Sequence, residues 1–218
     1  MVVDDARIVD HKACQVESWV RRDAATTELW ALPACNPLGP FELTVGGARV
    51  PSSVAPPGSS ATDTVLQAKG LLQAMTDERN GWGFAVGNVH RPSVDPARNL
   101  LGDRYAYLIH SQQWAGGRWV WHVNAGAVKR VNELRTHGTA GVGVEWQAFQ
   151  AAPNLQVLGE VYGETTGQRF YQAGFRWWVV PDRLQVDATV GNRLDTPWLP
   201  RQRWFTLGIR IITPAFLP

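Results

Sequence analysis

Lysine is almost missing from this sequence: only Lys12, Lys69 and Lys129 stand among 21 basic residues, and the other 18 are Arg. A flexible, strongly hydrated ammonium is the usual filler of open protein surface, so its scarcity points to a chain with little such surface. Long hydrophobic runs are absent too. No stretch of about 18 apolar residues occurs, which excludes a transmembrane helix but not a barrel, whose strands need only alternate apolar residues. Helical periodicity is confined to LQAKGLLQAM, residues 66–75. A formal net charge of +2 argues against a nucleic-acid partner held by electrostatics. There is no G-x-S-x-G, C-x-x-C or H-E-x-x-H. GTAGVGVEW at 138–146 is glycine-rich, but it lies inside an alternating stretch with no helix after it to receive a phosphate. Two Cys without a nearby paired His lack metal-ligand spacing. No metal, no cofactor and no catalytic residue is expected, and the balance is against an enzyme. The opening MVVDDARIVD shows no signal-peptide pattern, which fits either a cytosolic protein or a mature chain with a supplied Met.

What the sequence has in abundance is a period of two. In FYQAGFRWWVVPDRLQVDATVG, residues 170–191, Tyr171, Ala173, Phe175, Trp177 and Val179 alternate with Gln172, Gly174, Arg176 and Trp178. After Pro181-Asp182, Leu184, Val186, Ala188 and Val190 alternate with Gln185, Asp187 and Thr189. This is a hairpin with one apolar face. Similar stretches recur at about 11–22, 27–35, 41–49, 62–72, 81–90, 104–114, 118–131, 138–149, 155–165, 168–180, 183–192 and 202–213. Most of these twelve exceed the usual strand length of a soluble sheet and suit a tilted membrane strand. Tight connections (36–39, 76–80, 115–117, 151–154, 181–183) alternate with longer ones (50–63, 91–103, 131–138, 165–168, 193–202). Short and long loops therefore gather at opposite ends. The pattern predicts an all-β protein: a single antiparallel up-and-down transmembrane β-barrel of about twelve strands over residues 1–218, with 1–10 as an N-terminal extension.

Eleven Trp is several times the ordinary share. With the apolar face outward, Trp82, Trp119, Trp121, Trp146 and Trp177 fall near the short turns, and Tyr105, Tyr107, Tyr171 and Phe205 near the long loops. Two aromatic bands at the strand ends match interfacial girdles. A soluble sandwich or lipocalin-like barrel, the competing architecture, would bury its largest rings mid-strand. The polar face then points into the lumen and carries Glu42, Lys69, His110, Gln112, His122, Asn124, Arg130, Glu145, Gln147, Glu160, Tyr162, Glu164, Arg176, Asp187 and Arg210. Glu160, Arg176, Asp187 and Arg210 sit on four successive strands and, with Glu145, are expected to form a charge network. That network reads either as a structural lattice or as an ion path, and any conductance should be small and weakly selective. Inward Gly141, Gly143, Gly174 and Gly208 would leave space for long side chains.

The last strand, RWFTLGIRII, alternates Phe205, Leu207, Ile209 and Ile211 with Thr206, Gly208 and Arg210. It is similar to the polar-x-Gly-x-x-hydrophobic signal of outer-membrane β-barrel proteins of Gram-negative bacteria, and the whole chain resembles that class, most of all its medium barrels of about twelve strands. The departure is at the end: such barrels commonly finish on an aromatic residue, whereas this chain runs on through Thr213-Pro-Ala-Phe216 to Pro218. The resemblance implies an outer-membrane location for a mature chain, contact with membrane lipid and lipopolysaccharide, and recognition of the last strand by the outer-membrane assembly machinery.

Cys14 and Cys35 mirror each other about a turn at Ala24-Ala25, in register with Trp19 and Trp30, so a cross-strand disulfide is feasible; two free thiols are the alternative. Adjacent His110 and Ser111 would point to opposite faces, which forbids a nucleophile–base contact between them. His122 and Glu145 are expected to meet in the lumen as a hydrogen-bonded pair rather than an acid–base pair. Function divides between a narrow channel or transporter for small solutes and a closed barrel acting as an enzyme or through its loops. A soluble ligand-binding barrel is the remaining alternative.

Overall fold

Alternation carries through to the architecture of a computed structural model of the chain, in which residues 2–53, 56, 58–95, 101–133, 135–195 and 202–217 are described. The strands are β1 (Cys14–Arg22), β2 (Thr27–Cys35), β3 (Phe41–Pro51), β4 (Ser60–Gln73), β5 (Gly81–His90), β6 (Asp103–Trp114), β7 (Trp119–Lys129), β8 (His137–Trp146), β9 (Leu155–Glu164), β10 (Arg169–Val180), β11 (Leu184–Arg193) and β12 (Trp204–Ile212). Each pairs antiparallel with its sequence neighbours, and β1 pairs with β12 from Gln15↔Ile212 to Arg22↔Phe205. Closure leaves no edge, so every strand can satisfy its backbone within the wall, as a membrane demands. The stretch 66–75, for all its helical period, is mostly strand β4, as the strand expected at 62–72 implies; among the described residues no helix is long and apolar enough to cross a membrane. The expected longer loops at 50–63, 91–103, 131–138 and 193–202 lie partly outside the described residues.

Every strand exposes at least one large apolar side chain, from Val20 on β1 and Leu29 on β2 round to Val190 on β11 and Leu207 on β12. Together they form a continuous outward band of the kind a bilayer covers. Trp82, Trp121, Trp177 and Phe205 stand exposed on this face, and outward Trp119 and Trp146 stack at 4.8 Å. At the turn after β1, the Asp23 carboxyl is held below its usual range. Its slight burial is the largest single influence and acts the other way, but N–H groups of Ala25 and Thr26, the Thr26 hydroxyl and nearby Arg21 outweigh it together.

One strand corrects the expected facing. In β6, Tyr105, Tyr107, Ile109 and Ser111 point inward, while Leu108, His110, Gln112 and Trp114 point outward. Tyr105 and Tyr107 are therefore lumen residues, not girdle residues, and His110 and Gln112 do not line the lumen. The reason is local: the lumen beside β5 and β6 is partly apolar, with Ala6, Ala85 and Ile109 buried together against Leu71 and Tyr107. The tyrosine hydroxyls find acceptors inside, Tyr107 on Asp4 (3.1 Å) and Tyr105 on Gln67 (2.8 Å). Outward His110 packs on Trp82 at 4.5 Å and contacts the Asn80 amide at the short-turn rim.

Residues before β1 do not hang free. They enter at the short-turn end and run up inside the barrel, where Val3, Ala6, Val9 and Ala13 are buried. The chain reverses at Lys12, which has φ 66°. That reversal is fastened three ways: Lys12 N–H donates to Asn36 O, the N–H groups of Phe216 and Leu217 donate to Lys12 O, and Cys14 is disulfide-bonded to Cys35.

The outward band predicts that folded protein requires detergent and migrates differently on gels before and after heating; a monodisperse, detergent-free solution of the folded chain would contradict it. For the disulfide, replacing both cysteines with serine should cost about 3 kcal/mol at most, since the closed loop is short. Barrels of the variant should still form, because β12 also holds β1; urea titration of refolded protein measures the difference.

Candidate functional site: a plugged lumen

The lumen is a polar surface whose partners are largely supplied by residues 2–9. An irregular segment has unpaired backbone groups, and buried ones must be satisfied. Here wall side chains do it. Glu160 on β9 accepts from the N–H groups of Val2 (2.8 Å) and Val3 (2.8 Å). Asn124 on β7 exchanges two bonds with Asp4, accepting from its N–H (2.6 Å) and donating to its carbonyl (2.9 Å). The Ser111 hydroxyl accepts from Ala6 N–H (2.8 Å), and Glu42 on β3 accepts from Val9 N–H (3.0 Å).

Shape follows the same division. A Cβ at Gly141 would come within 2.7 Å of Val3 Cγ2, and one at Gly81 within 2.9 Å of the Ala6 Cβ. Small residues on β5 and β8 thus make the space that the segment fills. Burial of Val3, Ala6 and Val9 adds apolar stabilisation to the hydrogen bonds.

The charges form a network different from the expected one. Arg176 on β10 makes a two-pronged pair with Asp187 on β11 (3.0 and 2.9 Å) and reaches Glu145 on β8 (2.5 Å). Glu145 also receives Arg7 from the plug (2.8 Å), and Arg7 in turn contacts Asp5 (2.9 Å). Lys69 on β4 holds Asp4 (2.6 Å) and Asp5 (3.4 Å). Two members expected in the four-strand lattice go elsewhere. Glu160 binds the plug backbone and the Gln172 amide, and Arg210 turns to β1, donating to Gln15 (2.5 Å) beside Glu17 (3.3 Å). Cross-strand register explains the split: Arg176 is opposite Asp187, whereas Arg210 is opposite Gln185 on one side and Glu17 on the other.

His122 and Glu145 do approach, at 3.5 Å, and the other ring nitrogen of His122 lies 2.8 Å from the Ser111 hydroxyl. All three side chains are buried, and the Ser111 oxygen is already engaged by Ala6 N–H. The trio links plug to wall, and His122 and Glu145 also border a cavity in the lumen.

Space remains beside the plug. A cavity of about 190 Å³ is bounded by Gln15, Glu17, Trp19, Thr44 and Arg210 from the β12–β1–β2–β3 wall and by Lys69, Tyr107, His122, Glu145 and Arg176 from the rest of the barrel. At the long-loop end a second cavity of about 390 Å³ is bounded by Arg21, Glu28, Trp30 and residues of the segment after β5. That segment is folded inward: Asp63 accepts from the N–H and hydroxyl of Ser93, and Arg91 bridges Asp63 (3.4 Å) and Asp103 (3.1 Å).

Sequence reasoning missed Asp4, Asp5, Arg7, Ser111 and Gln172 as parts of this site. The plug leaves no local signal: Val2, Val3, Ala6, Ile8 and Val9 stand among charges without a sustained strand or helix period.

A closed twelve-stranded antiparallel barrel with an apolar exterior and a charged lumen has the fold of outer-membrane β-barrel proteins. Solved structures of that fold include the KdgM porin (TM-score 0.64, 10% identity, covering 90% of this chain and 98% of that one). The NanC porin (0.61, 7%, 91% and 98%) and the outer membrane protein Omp33 of Acinetobacter baumannii (0.50, 10%, 91% and 96%) share it too. At such identities the likeness is one of fold. The chain belongs to the family described as "Uncharacterised conserved protein UCP029691", whose model matches residues 1–213. No curated protein sequence matches it.

The ion pairs set Arg176 apart from Arg210. Arg176→Ala leaves Glu145 and Asp187 short of a partner in a confined space and should cost about 3 kcal/mol. Arg210→Ala should cost much less, since Glu17 is half exposed. Urea unfolding in lipid vesicles checks both; equal losses would mean that the two arginines belong to one lattice after all.

Proposed function

We propose that this protein is an outer-membrane channel for small solutes, narrowed by its own N-terminal segment to a passage along one wall. The observation that carries the reading is the pair of cavities left beside the plug, both bounded on one side by β1 and β2. Barrels of about eight strands are filled by side chains and those of about sixteen enclose an open pore, so twelve strands give a lumen wide enough to need a filler. The filler here is polar and hydrogen-bonded, which suits a water-lined route better than an inert core. The porin fold of the structural neighbours supports the same reading, as does the lipid-facing band, which calls for membrane lipid and lipopolysaccharide around it. The last strand would be the element read by the assembly machinery.

The passage is not neutral. Around the inner cavity, Asp4, Asp5, Glu17, Glu42 and Glu145 face Lys69, Arg176 and Arg210; around the mouth, Glu28, Asp63 and Asp103 face Arg21 and Arg91. Carboxylates exceed cations in both places, so the route favours cations. One KdgM porin structure is a complex with oligogalacturonate, a polyanion; the charge balance here suits a solute of the opposite sign.

Planar-bilayer recording tests this. The full chain should show a small, weakly cation-selective conductance, and removal of residues 2–8 should raise it by about threefold or more as the plug side opens. A wild type that is strongly anion-selective, or a truncated chain as silent as the full one, would sink the channel reading.

A further inference from the structure

The passage beside the plug carries aromatic surface as well as charge. Trp19 and Trp30 are cross-strand partners on the inward faces of β1 and β2, stacked with ring centroids 5.3 Å apart and planes within 6°. Trp30 bounds the mouth cavity and Trp19 the inner one, so the pair stands where one gives way to the other. One step nearer the mouth, the Arg21 guanidinium lies over the Trp204 ring, 4.6 Å from its centroid, with Glu28 at 3.7 Å. This wall therefore already holds a cation on an indole face beside a carboxylate. One step deeper than Trp19 along β1, Glu17 has a half-exposed side chain whose contact is Arg210 at 3.3 Å. The inward face of β1 thus runs charge, ring, charge from mouth to plug.

Indole faces attract cations through the ring quadrupole, more strongly where water is partly excluded. Trp19 lines the inner cavity and Trp30 the mouth, and each has a carboxylate two residues away on its own strand: Glu17 beside Trp19, and Glu28 beside Trp30, whose indole N–H it accepts (3.0 Å). Arg21 and Arg210 are paired with these same carboxylates, so a passing cation shares each with an arginine; Glu17, 44% exposed against 15% for Arg210, is the more open of the two.

We propose that Trp19 and Trp30, with Glu17 and Glu28, form a transit site for small organic cations, alkylguanidiniums or primary amines about the size of an amino acid. The assignment rests on the channel reading above and adds the class of solute. A cation entering the mouth settles on Trp30 beside Glu28, then passes to Trp19 and Glu17 at the inner cavity, exchanging one ring face and one carboxylate for the next.

The test uses the full chain in planar bilayers with KCl, n-butylguanidinium chloride as the cationic probe and potassium pentanoate as a size-matched anion. Butylguanidinium should reduce the potassium current at millimolar concentration and carry current itself, seen as a cation-directed reversal potential in a gradient of its chloride salt. Pentanoate should do neither. Trp19→Leu should weaken the block by about fivefold or more, Trp19→Phe should keep most of it, and Glu17→Gln should weaken it too. Variants are compared only after heat-modifiable migration shows that they have folded; the wild-type reversal potential stands without them. Equal block by pentanoate, a chloride-dominated potential, or a block untouched by both Trp19→Leu and Glu17→Gln would overturn the site. KCl current without preference for the guanidinium defeats this proposal alone, whereas silence of both the full and the truncated chain defeats the channel reading with it.

Discussion

A carboxylate inside a closed wall must be met by a partner, and the geometry of this protein is organised around three that are. Glu42, Glu145 and Glu160 are each 5% exposed or less. Water can offset such burial only where it reaches, and the apolar exterior forbids turning the charge outward. Each of the three therefore draws on the N-terminal segment: Glu42 on the N–H of Val9, Glu145 on Arg7, Glu160 on the N–H groups of Val2 and Val3. The dependence is mutual. Residues 2–9 form no regular structure, and their backbone groups are satisfied by these same side chains and by Asn124 and Ser111. Wall and plug are each incomplete without the other.

An arrangement of that kind needs the plug to start from a fixed point. The departure at the chain's end, five described residues beyond β12, finds its use here. Thr213 donates its N–H to Cys14 O, and the N–H groups of Phe216 and Leu217 converge on the Lys12 carbonyl. With the disulfide and the Asn36 side chain, whose amide donates to Val9 O, they fix both the direction and the depth at which the segment enters. A barrel ending on its last strand would leave the Lys12 reversal held from one side only.

The fold was legible because its signal is repeated. A period of two over twelve stretches, bounded by turns of alternating length, cannot easily mean anything else, and the girdle tryptophans near the short turns rest on the same alternation. Facing failed where that alternation was ambiguous. In β6 both faces mix polar and apolar residues, and the Tyr105 and Tyr107 rings look like girdle until their hydroxyls find Gln67 and Asp4 inside. Pairing partners were less legible still. Inward residues on successive strands suggested a lattice of Glu160, Arg176, Asp187 and Arg210, but contact depends on register, which the sequence does not print. Only Arg176 and Asp187 fall opposite each other. The plug was hidden for a different reason: its contacts join residues more than a hundred positions apart, and no local pattern records them.

Where the plug lies also decides what the lumen can be. Its anchors come from β3 through β9, and small residues there, Gly81, Ala85 and Gly141, let it press close to the wall. On the other side the wall carries long residues, Gln15, Glu17, Trp19 and Arg210, which reach into the remaining space without filling it. A central plug would have left a thin ring of solvent with no wall able to grip a solute. An off-centre plug leaves the free volume against the β1–β2 wall, where Gln15, Glu17 and Trp19 face it together with Lys69, Glu145 and Arg176 from across the lumen. In the channel proposed above, the asymmetry of the segment is what turns a filled barrel into a surface capable of choosing.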